Sequence, residues 1–168
     1  SARAPLPHLA PADSRHTRRF GEGRFALTAE VTPPLSGSAD ALLKKARFLK
    51  DHVDAVNVTD GAGARVTMAS LPAAALLVRD GIEPVFQVTC RDRNRIALQG
   101  DLLGAHALGI RNLLVLNGDD PKAGDQPDAK PVFDIASTDV ISIAAEMRDK
   151  GVVPSGRKIE SAPNFFIA

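Results

Sequence analysis

Short apolar segments alternate with longer amphipathic segments along most of the chain. Four segments of strand-like composition lie at residues 24–31, 54–59, 84–89 and 113–116, and each is followed by polar turn residues and a helix-like segment. The segment 113–116 is an unbroken apolar run, which is typical of a strand buried on both faces. Repeated strand–helix alternation predicts a parallel sheet with right-handed crossovers.

The segments between the strands predict four helices with identifiable ends. Ser38 and Asp92 are favourable N-cap residues, and Pro72 lies in a first turn, where proline is tolerated. Gly109 and Gly151 are expected to end their helices. On the first helix, apolar residues recur at helical spacing and predict one buried face. The helices are predicted at about 39–53, 68–79, 93–108 and 138–150.

The last residues, 164–168, predict the beginning of a fifth strand. A complete eight-unit barrel takes roughly 250 residues, whereas this chain has 168. We therefore expect residues 24–168 to form a parallel (β/α) barrel of TIM type, truncated after about the fifth strand; a short open α/β domain is the alternative. Residues 1–23 are rich in Ala, Pro and Arg and are expected to form a loosely packed arm with one helical turn at most.

Charge and cysteine content narrow the classes of partner. The formal net charge is +1, so no strong field favours nucleic acid or an anionic membrane. Four arginines near the start, Arg15, Arg18, Arg19 and Arg24, have no interleaved aromatic residues and are interpreted as a solvated segment. Cys90 is the only cysteine, which excludes a disulfide within the chain and favours a cytoplasmic setting. We expect neither a signal peptide nor a membrane span, because no segment has the required pattern.

Polar side chains gather where each of the first four predicted strands ends. Because the carboxyl ends of parallel strands meet at one edge, where α/β proteins bind ligands, we expect these groups to share one rim. The cluster at 117–121 could equally be an ordinary turn, since Asn, Gly, Asp and Pro are turn residues. The groups are Glu30, Asn57, Thr59, Asp60, Gln87, Thr89, Arg91, Asp92, Asn117, Asp119 and Asp120.

Glu30 and Gln87 are polar residues predicted inside strands. Burying the Glu30 carboxylate would be costly unless it is paired or protonated, and burial would raise its pKa, which suits a general acid. The alternative is that Glu30 forms a salt bridge with Arg91 or Arg111 at the barrel mouth. The Gln87 amide offers a donor and an acceptor to the edge of a heterocycle, and the alternative is a hydrogen-bonded core amide.

Other candidates give weaker signals. Gly61 and Gly63 permit a close approach of the backbone to a ligand, but an ordinary turn explains them equally well. Cys90 has no histidine near it in sequence and is interpreted as a small buried hydrophobic residue. No Walker motif or Gly-x-Gly-x-x-Gly fingerprint is present. No metal site is predicted, because no metal-ligand spacing relates the four histidines, His8, His16, His52 and His106.

Four segments of the sequence, each at the end of a predicted strand, together resemble the methylenetetrahydrofolate reductase family. They occur in the same order as in that family. Two later segments, 132–134 (Val-Phe-Asp) and 165–168 (Phe-Phe-Ile-Ala), are also similar, so the resemblance runs from about Phe25 to Ala168. The four segments are 29–34 (Ala-Glu-Val-Thr-Pro-Pro), 56–63 (Val-Asn-Val-Thr-Asp-Gly-Ala-Gly), 87–92 (Gln-Val-Thr-Cys-Arg-Asp) and 109–121 (Gly-Ile-Arg-Asn-Leu-Leu-Val-Leu-Asn-Gly-Asp-Asp-Pro).

The resemblance implies a (β/α)8 barrel that holds FAD at the carboxyl ends of its strands. Members use NADH or NADPH to reduce the flavin, which passes hydride to 5,10-methylenetetrahydrofolate and gives 5-methyltetrahydrofolate. By this resemblance Glu30 matches the acid that helps to open the imidazolidine ring of the folate. Asp119 matches the aspartate beside the flavin and the pterin ring, so both carboxylates are expected to bind the tetrahydrofolate substrate and to serve catalysis. The residues expected to contact FAD are Thr59, Gln87, Leu116, Asn117, Gly118, Asp119 and Ala168.

The chain also departs from the family pattern. Gln87 stands where many members carry histidine, and Asn117 stands where many carry arginine. Residues that members use from later strands, for folate and for the adenine half of FAD, would lie beyond Ala168. Two alternatives therefore stay open: a non-catalytic partner subunit or folate-binding module of the same fold, and another pterin-handling barrel that transfers methyl groups without flavin. The expected assembly is a homo-oligomer or a complex with a partner subunit.

Overall fold

The computed structural model describes residues 14–168, in which strands alternate with helices. Short 3-10 turns at Ala62–Ala64 and Pro121–Ala123 follow the second and fourth strands. The strands are β1 (Thr28–Val31), β2 (Ala55–Val58), β3 (Pro84–Thr89), β4 (Asn112–Leu116) and β5 (Phe166–Ile167). The helices are α1 (Arg15–Gly21), α2 (Ala39–Ala46), α3 (Ser70–Arg79), α4 (Arg95–Ala107) and α5 (Ser137–Lys150).

The five strands form one parallel sheet in the order β1-β2-β3-β4-β5. Each strand therefore joins the sheet beside its predecessor, and the strand order does not reverse as it does in a doubly wound fold. Right-handed crossovers that always advance in the same direction place their helices on the same face of the sheet. This is the arrangement of part of a TIM-type barrel, and the predicted α/β class is confirmed.

The core lies between the sheet and helices α2 to α5. Strand β3 is buried at all of its positions, which agrees with its central place in the sheet. The largest fully buried side chains come from both layers, so burial of apolar surface links every helix of this face to the strands. They include Leu42, Leu77, Phe86, Leu98, Leu102, Leu113 and Met147.

Two helices differ from the sequence prediction at one end. Helix α2 ends at Ala46 rather than near residue 53, although Leu49 and Val53 still pack against the core from the following turns. The N-cap of α4 is Asn94, whose side-chain oxygen accepts hydrogen bonds from two backbone N–H groups of the first turn. Asp92 does not cap α4, because both of its carboxylate oxygens bind the guanidinium of Arg91.

Other predicted helix ends are confirmed. Pro72 lies in the first turn of α3. Gly109 and Gly151 follow α4 and α5 with φ of +87° and +64°, the left-handed backbone that favours glycine after a helix. Strand β3 has the predicted bounds, and β4 begins one residue earlier than predicted. Strand β1 is shorter than predicted, because it begins at Thr28 rather than residue 24, and β5 comprises two residues.

Residues 14–23 are more closely packed than the arm expected from the sequence. Ser14 caps α1 and donates a 3.0 Å hydrogen bond to the side chain of Asn112 at the start of β4. The carboxylate of Glu83, just before β3, accepts hydrogen bonds from the first two backbone N–H groups of α1. Helix α1 is therefore held at the amino ends of the strands, opposite the rim where ligands are expected.

One of the four arginines expected to be solvated, Arg19, is instead partly buried and paired. Its Nε donates a 2.9 Å hydrogen bond to Asp54 at the foot of β2. Residues 1–13, which include His8, lie outside the described residues. In the part of the chain that the structure describes, no helix combines the length and the apolar character needed to cross a membrane.

Candidate functional site

The carboxyl ends of β1 to β4 surround a cavity of about 300 Å³. The strand-end groups thus share one rim, as the parallel arrangement predicted. Asn57, Asp92 and Asp120 were also expected there but do not line the cavity. The lining residues are Glu30, Thr59, Asp60, Ala62, Gln87, Thr89, Arg91, Leu116, Asn117, Gly118 and Asp119.

Glu30 lies at the mouth of this cavity and is exposed to solvent. The expectation of a buried carboxylate is wrong, because β1 pairs only with β2 among the described strands and so leaves one flank open. Oε2 of Glu30 accepts a 3.3 Å hydrogen bond from the amide nitrogen of Gln87. Glu30 does not form the alternative salt bridge with Arg91 or Arg111. Arg91 binds Asp92 instead, and Arg111 donates to the backbone carbonyls of His106 and Ile110.

Gln87 and Thr59 form the buried wall of the cavity. Gln87 is 6% exposed and its amide reaches two strands across to Glu30, so the side chain is hydrogen-bonded and also lines the cavity. Thr59 is 4% exposed, and its hydroxyl has no hydrogen-bond partner among the described residues. A buried hydroxyl without a partner is costly, and one at a cavity wall can be satisfied by a ligand.

Asp60, which lines the cavity, forms a buried ion pair with Arg93, with a 2.7 Å contact between a guanidinium nitrogen and Oδ2. The same oxygen accepts hydrogen bonds from the backbone N–H and the hydroxyl of Thr89. Burial alone would raise the pKa of Asp60, but the charge and hydrogen bonds of Arg93, with the Thr89 N–H, outweigh it and hold this pKa below its usual value. The pair ties the ends of β2 and β3 to the start of α4.

Sequence reasoning missed Arg93 as part of this support. Arg93 also donates a 2.9 Å hydrogen bond from Nε to Asp101 in α4, so one guanidinium joins two carboxylates. Asp60 and Arg93 are 33 positions apart, and neither forms a recognisable motif with the other. The one available signal was the placement of both residues just after neighbouring strands.

The turn after β4 brings three predicted site residues to the cavity. Gly118 has a φ of +92°, and a Cβ added to it would lie 3.0 Å from the Cβ atoms of Thr89 and Arg91, so this turn packs tightly on the end of β3. Asn117 uses its side-chain oxygen to accept a hydrogen bond from the backbone of Ser137, which leaves its NH2 group for other partners. Asp119 is exposed, and its Oδ2 accepts a 2.8 Å hydrogen bond from the backbone of Gly63.

Leu116 and Ala168 are the other two residues that were expected at FAD from the ends of β4 and β5. Leu116, the last residue of β4, is 40% exposed and presents apolar surface to the cavity. Ala168 follows β5, where its N–H donates a 2.9 Å hydrogen bond to the carbonyl of Leu113; it does not line the cavity. The structure therefore brings together six of the seven residues expected at FAD, Ala168 being the exception.

Among the described residues, neither the cysteine thiol nor the histidine imidazoles line the cavity. Cys90 is free and fully buried, which confirms the interpretation as a small hydrophobic residue, and burial raises the pKa of its thiol. His16 is buried between Phe20 and Phe166 near the opposite end of the sheet. Within residues 14–168, no group of three or more His, Cys, Asp or Glu side chains could hold a metal ion.

The long loop after β4 folds back over the end of β3. The backbone N–H groups of Val132 and Phe133 donate to the carbonyls of Arg91 and Cys90. Asp134 binds the side chain and the backbone N–H of Arg95, and these hydrogen bonds lower the pKa of Asp134 to about 2. The far end of the loop that carries Asp119 is thus anchored to the segment between β3 and α4 and to the first residue of α4.

The comparison with known families agrees with this geometry. The sequence model of the family described as methylenetetrahydrofolate reductase matches residues 15–153, a range that includes every residue lining the cavity. The match begins in α1, earlier than the resemblance seen in the sequence, and ends before β5. A search among curated proteins found no match. Because the match covers most of the sequence, the chain belongs to the methylenetetrahydrofolate reductase family.

Proposed function

We propose that this chain serves the reduction of 5,10-methylenetetrahydrofolate to 5-methyltetrahydrofolate by NADH or NADPH through bound FAD. The observation that carries the proposal is the single cavity shared by Glu30, Thr59, Gln87, Gly118 and Asp119, which the resemblance assigns to folate and flavin. Family membership supports a folate substrate. The cytoplasm is the proposed location, and a homo-oligomer or a partner subunit is the proposed assembly.

The donors and acceptors of the cavity suit the ring end of FAD. The Thr59 hydroxyl has no partner among the described residues, and the Asn117 NH2 group is left for a ligand because its side-chain oxygen is the atom that binds Ser137. The cationic side chain among the described lining residues, Arg91, is already bound to Asp92 and to the carbonyl of Gly61. The fit is therefore to the isoalloxazine ring, whose chemistry when bound is to carry hydride from the nicotinamide to the folate.

The two carboxylates would act on the pterin side of the cavity. Glu30 lies at the mouth, where its carboxyl group can exchange protons with solvent and with a ligand. In the proposed reaction Glu30 donates the proton that opens the imidazolidine ring, and the hydrogen bond from Gln87 orients it. Asp119 would accept hydrogen bonds from the pterin ring, because its carboxylate lines the same cavity.

Asp119→Asn is expected to weaken tetrahydrofolate binding by about 10- to 100-fold, because a hydrogen bond to a charged acceptor contributes about 1.5–3 kcal/mol. Removing an anion beside the flavin should also raise the flavin reduction potential, since the reduced flavin carries more negative charge. Calorimetry with tetrahydrofolate and dye-coupled potentiometry measure the two effects. Asp128→Asn, an exposed aspartate of the same loop, is the matched control and should change neither. Unchanged affinity and potential in Asp119→Asn would place Asp119 away from both ligands.

A further inference from the structure

Two loops above the cavity are joined through carboxylates. Asp119, after β4, accepts a 2.8 Å hydrogen bond from the backbone N–H of Gly63, after β2. Asp125, further along the same loop, accepts from the backbone N–H of Val66 at 3.1 and 3.2 Å. Nothing in the sequence motifs pointed to this connection, because Gly63 and Asp119 are 56 positions apart.

The backbone of the loop after β2 has an unusual course at this connection. Gly61, Gly63 and Ala64 all have positive φ, at 59°, 65° and 53°. Ala64 is thus a non-glycine residue in the left-handed region, which such residues seldom occupy unless their surroundings hold them there. The surroundings here include Arg91, which donates a 3.1 Å hydrogen bond to the Gly61 carbonyl.

Gly124 makes the closest contact between the two loops. A Cβ added to Gly124 would lie 1.8 Å from the carbonyl oxygen of Ala64 and 2.5 Å from its carbonyl carbon. The φ of Gly124 is −101°, which any residue can adopt, so the obstacle is contact with the facing Ala64, mainly with its backbone carbonyl. A side chain at this position would therefore push Ala64 away, and with it the neighbouring N–H that binds Asp119.

We propose that Gly124 is a positioning residue for Asp119. We name the contacts of Gly63, Ala64 and Val66 with Asp119, Gly124 and Asp125 the loop clasp. By allowing the two loops to touch, Gly124 keeps the Gly63 N–H on Oδ2 of Asp119; Oδ1 has no hydrogen-bond donor among the described residues and is left for a ligand. A carboxylate held in place before the ligand arrives loses less freedom on binding. The ligand of Asp119, a pterin, rests on the function proposed above.

The test compares Gly124→Ala with Gly37→Ala in the 15N-labelled chain. Gly37 also lies in a loop without positive φ, and a Cβ there would have nothing within 4 Å, so it is the matched control. In Gly124→Ala the amide proton of Gly63 should shift upfield, because its hydrogen bond to a carboxylate is lost. Tetrahydrofolate affinity should fall by about tenfold, the lower bound for a charge-assisted hydrogen bond. Gly37→Ala should change neither quantity.

A second variant keeps the test decisive if Gly124→Ala does not fold. Asp125→Asn weakens the bond to Val66 in the loop clasp without adding a clash, and should move the Gly63 amide signal in the same direction by a smaller amount. An unchanged Gly63 signal in the folded variants would overturn the inference about Gly124. Failure of the unsubstituted chain to bind tetrahydrofolate would instead overturn the proposed function, and the Gly63 signal would still decide the inference.

Discussion

Glu30→Gln is expected to lower the rate of methylenetetrahydrofolate reduction by about 100- to 10,000-fold, the range typical of a lost general acid. The reduction of bound flavin by NADH should continue at its normal rate, since that half-reaction needs no proton from Glu30. Glutamine has nearly the same size and can still bond with Gln87, so position is retained while the acid is lost. Anaerobic stopped-flow absorbance measures the two half-reactions separately.

The exposure of Glu30 makes this variant a clean test. An exposed side chain on β1 contributes little to packing, so the fold and flavin binding should be retained. Glu146→Gln is the matched control, because Glu146 lies on α5 in an exposed pair with Lys150, away from the cavity. Normal folate turnover in Glu30→Gln would rule out the assigned role.

Asp60→Asn is expected to destabilise the fold by about 3 kcal/mol, the lower end of the cost of removing one partner from a buried ion pair. The lower end applies because Arg93 keeps its bond to Asp101. The side chains of Asp60 and Arg93 are 6% and 15% exposed, so water cannot easily replace the lost carboxylate charge. Urea unfolding at pH 7 measures the change in the free energy of unfolding.

Glu146→Gln again provides the comparison for Asp60→Asn. It makes the same carboxylate-to-amide change in an exposed pair between residues i and i+4 of a helix, where solvent screens the charges and the expected loss is much smaller than for the buried pair. An equal effect of the two substitutions would show that the Asp60–Arg93 pair does not support the rim.

The contribution of Asp60 should also depend on pH. Its pKa is lower in the folded chain than in the unfolded chain, so the stabilisation is complete above the unfolded pKa, about 3.9. It is lost as the pH falls through the lower, folded pKa. The difference in unfolding free energy between the unsubstituted chain and Asp60→Asn should therefore be constant from pH 7 to about 5 and shrink below about 4. A difference that stays constant to the acid limit would contradict the lowered pKa.

Local pattern was sufficient to predict the sheet and its rim. Each strand is a short, mostly apolar segment followed by polar turn residues, most clearly at 113–116, and this pattern depends only on neighbours in sequence. Parallel pairing then brings the strand ends together, which is why Thr59, Gln87 and Asp119 could be placed in one cavity from their positions alone. The helix ends at Gly109 and Gly151 followed from the left-handed conformation that glycine permits.

Features that depend on distant parts of the chain were not predictable in this way. Whether Glu30 is buried depends on how many strands flank β1, which its own sequence does not encode. Asp92 and Asn94 are both good caps, and Arg91 decides between them by binding Asp92. The packing of α1 likewise required partners, Glu83 and Asn112, from two later positions in the chain.

The function proposed for the cavity is tested most directly by the visible absorption spectrum of the purified chain incubated with FAD, before and after anaerobic NADH. The proposal predicts the spectrum of a bound flavin that bleaches when NADH is added, and regains its absorbance with methylenetetrahydrofolate. A protein that is colourless once unbound FAD has been removed would contradict a flavin-dependent reductase. If that colourless protein binds labelled tetrahydrofolate, the cavity instead belongs to a folate-binding module or to a pterin-handling enzyme that transfers methyl groups without flavin.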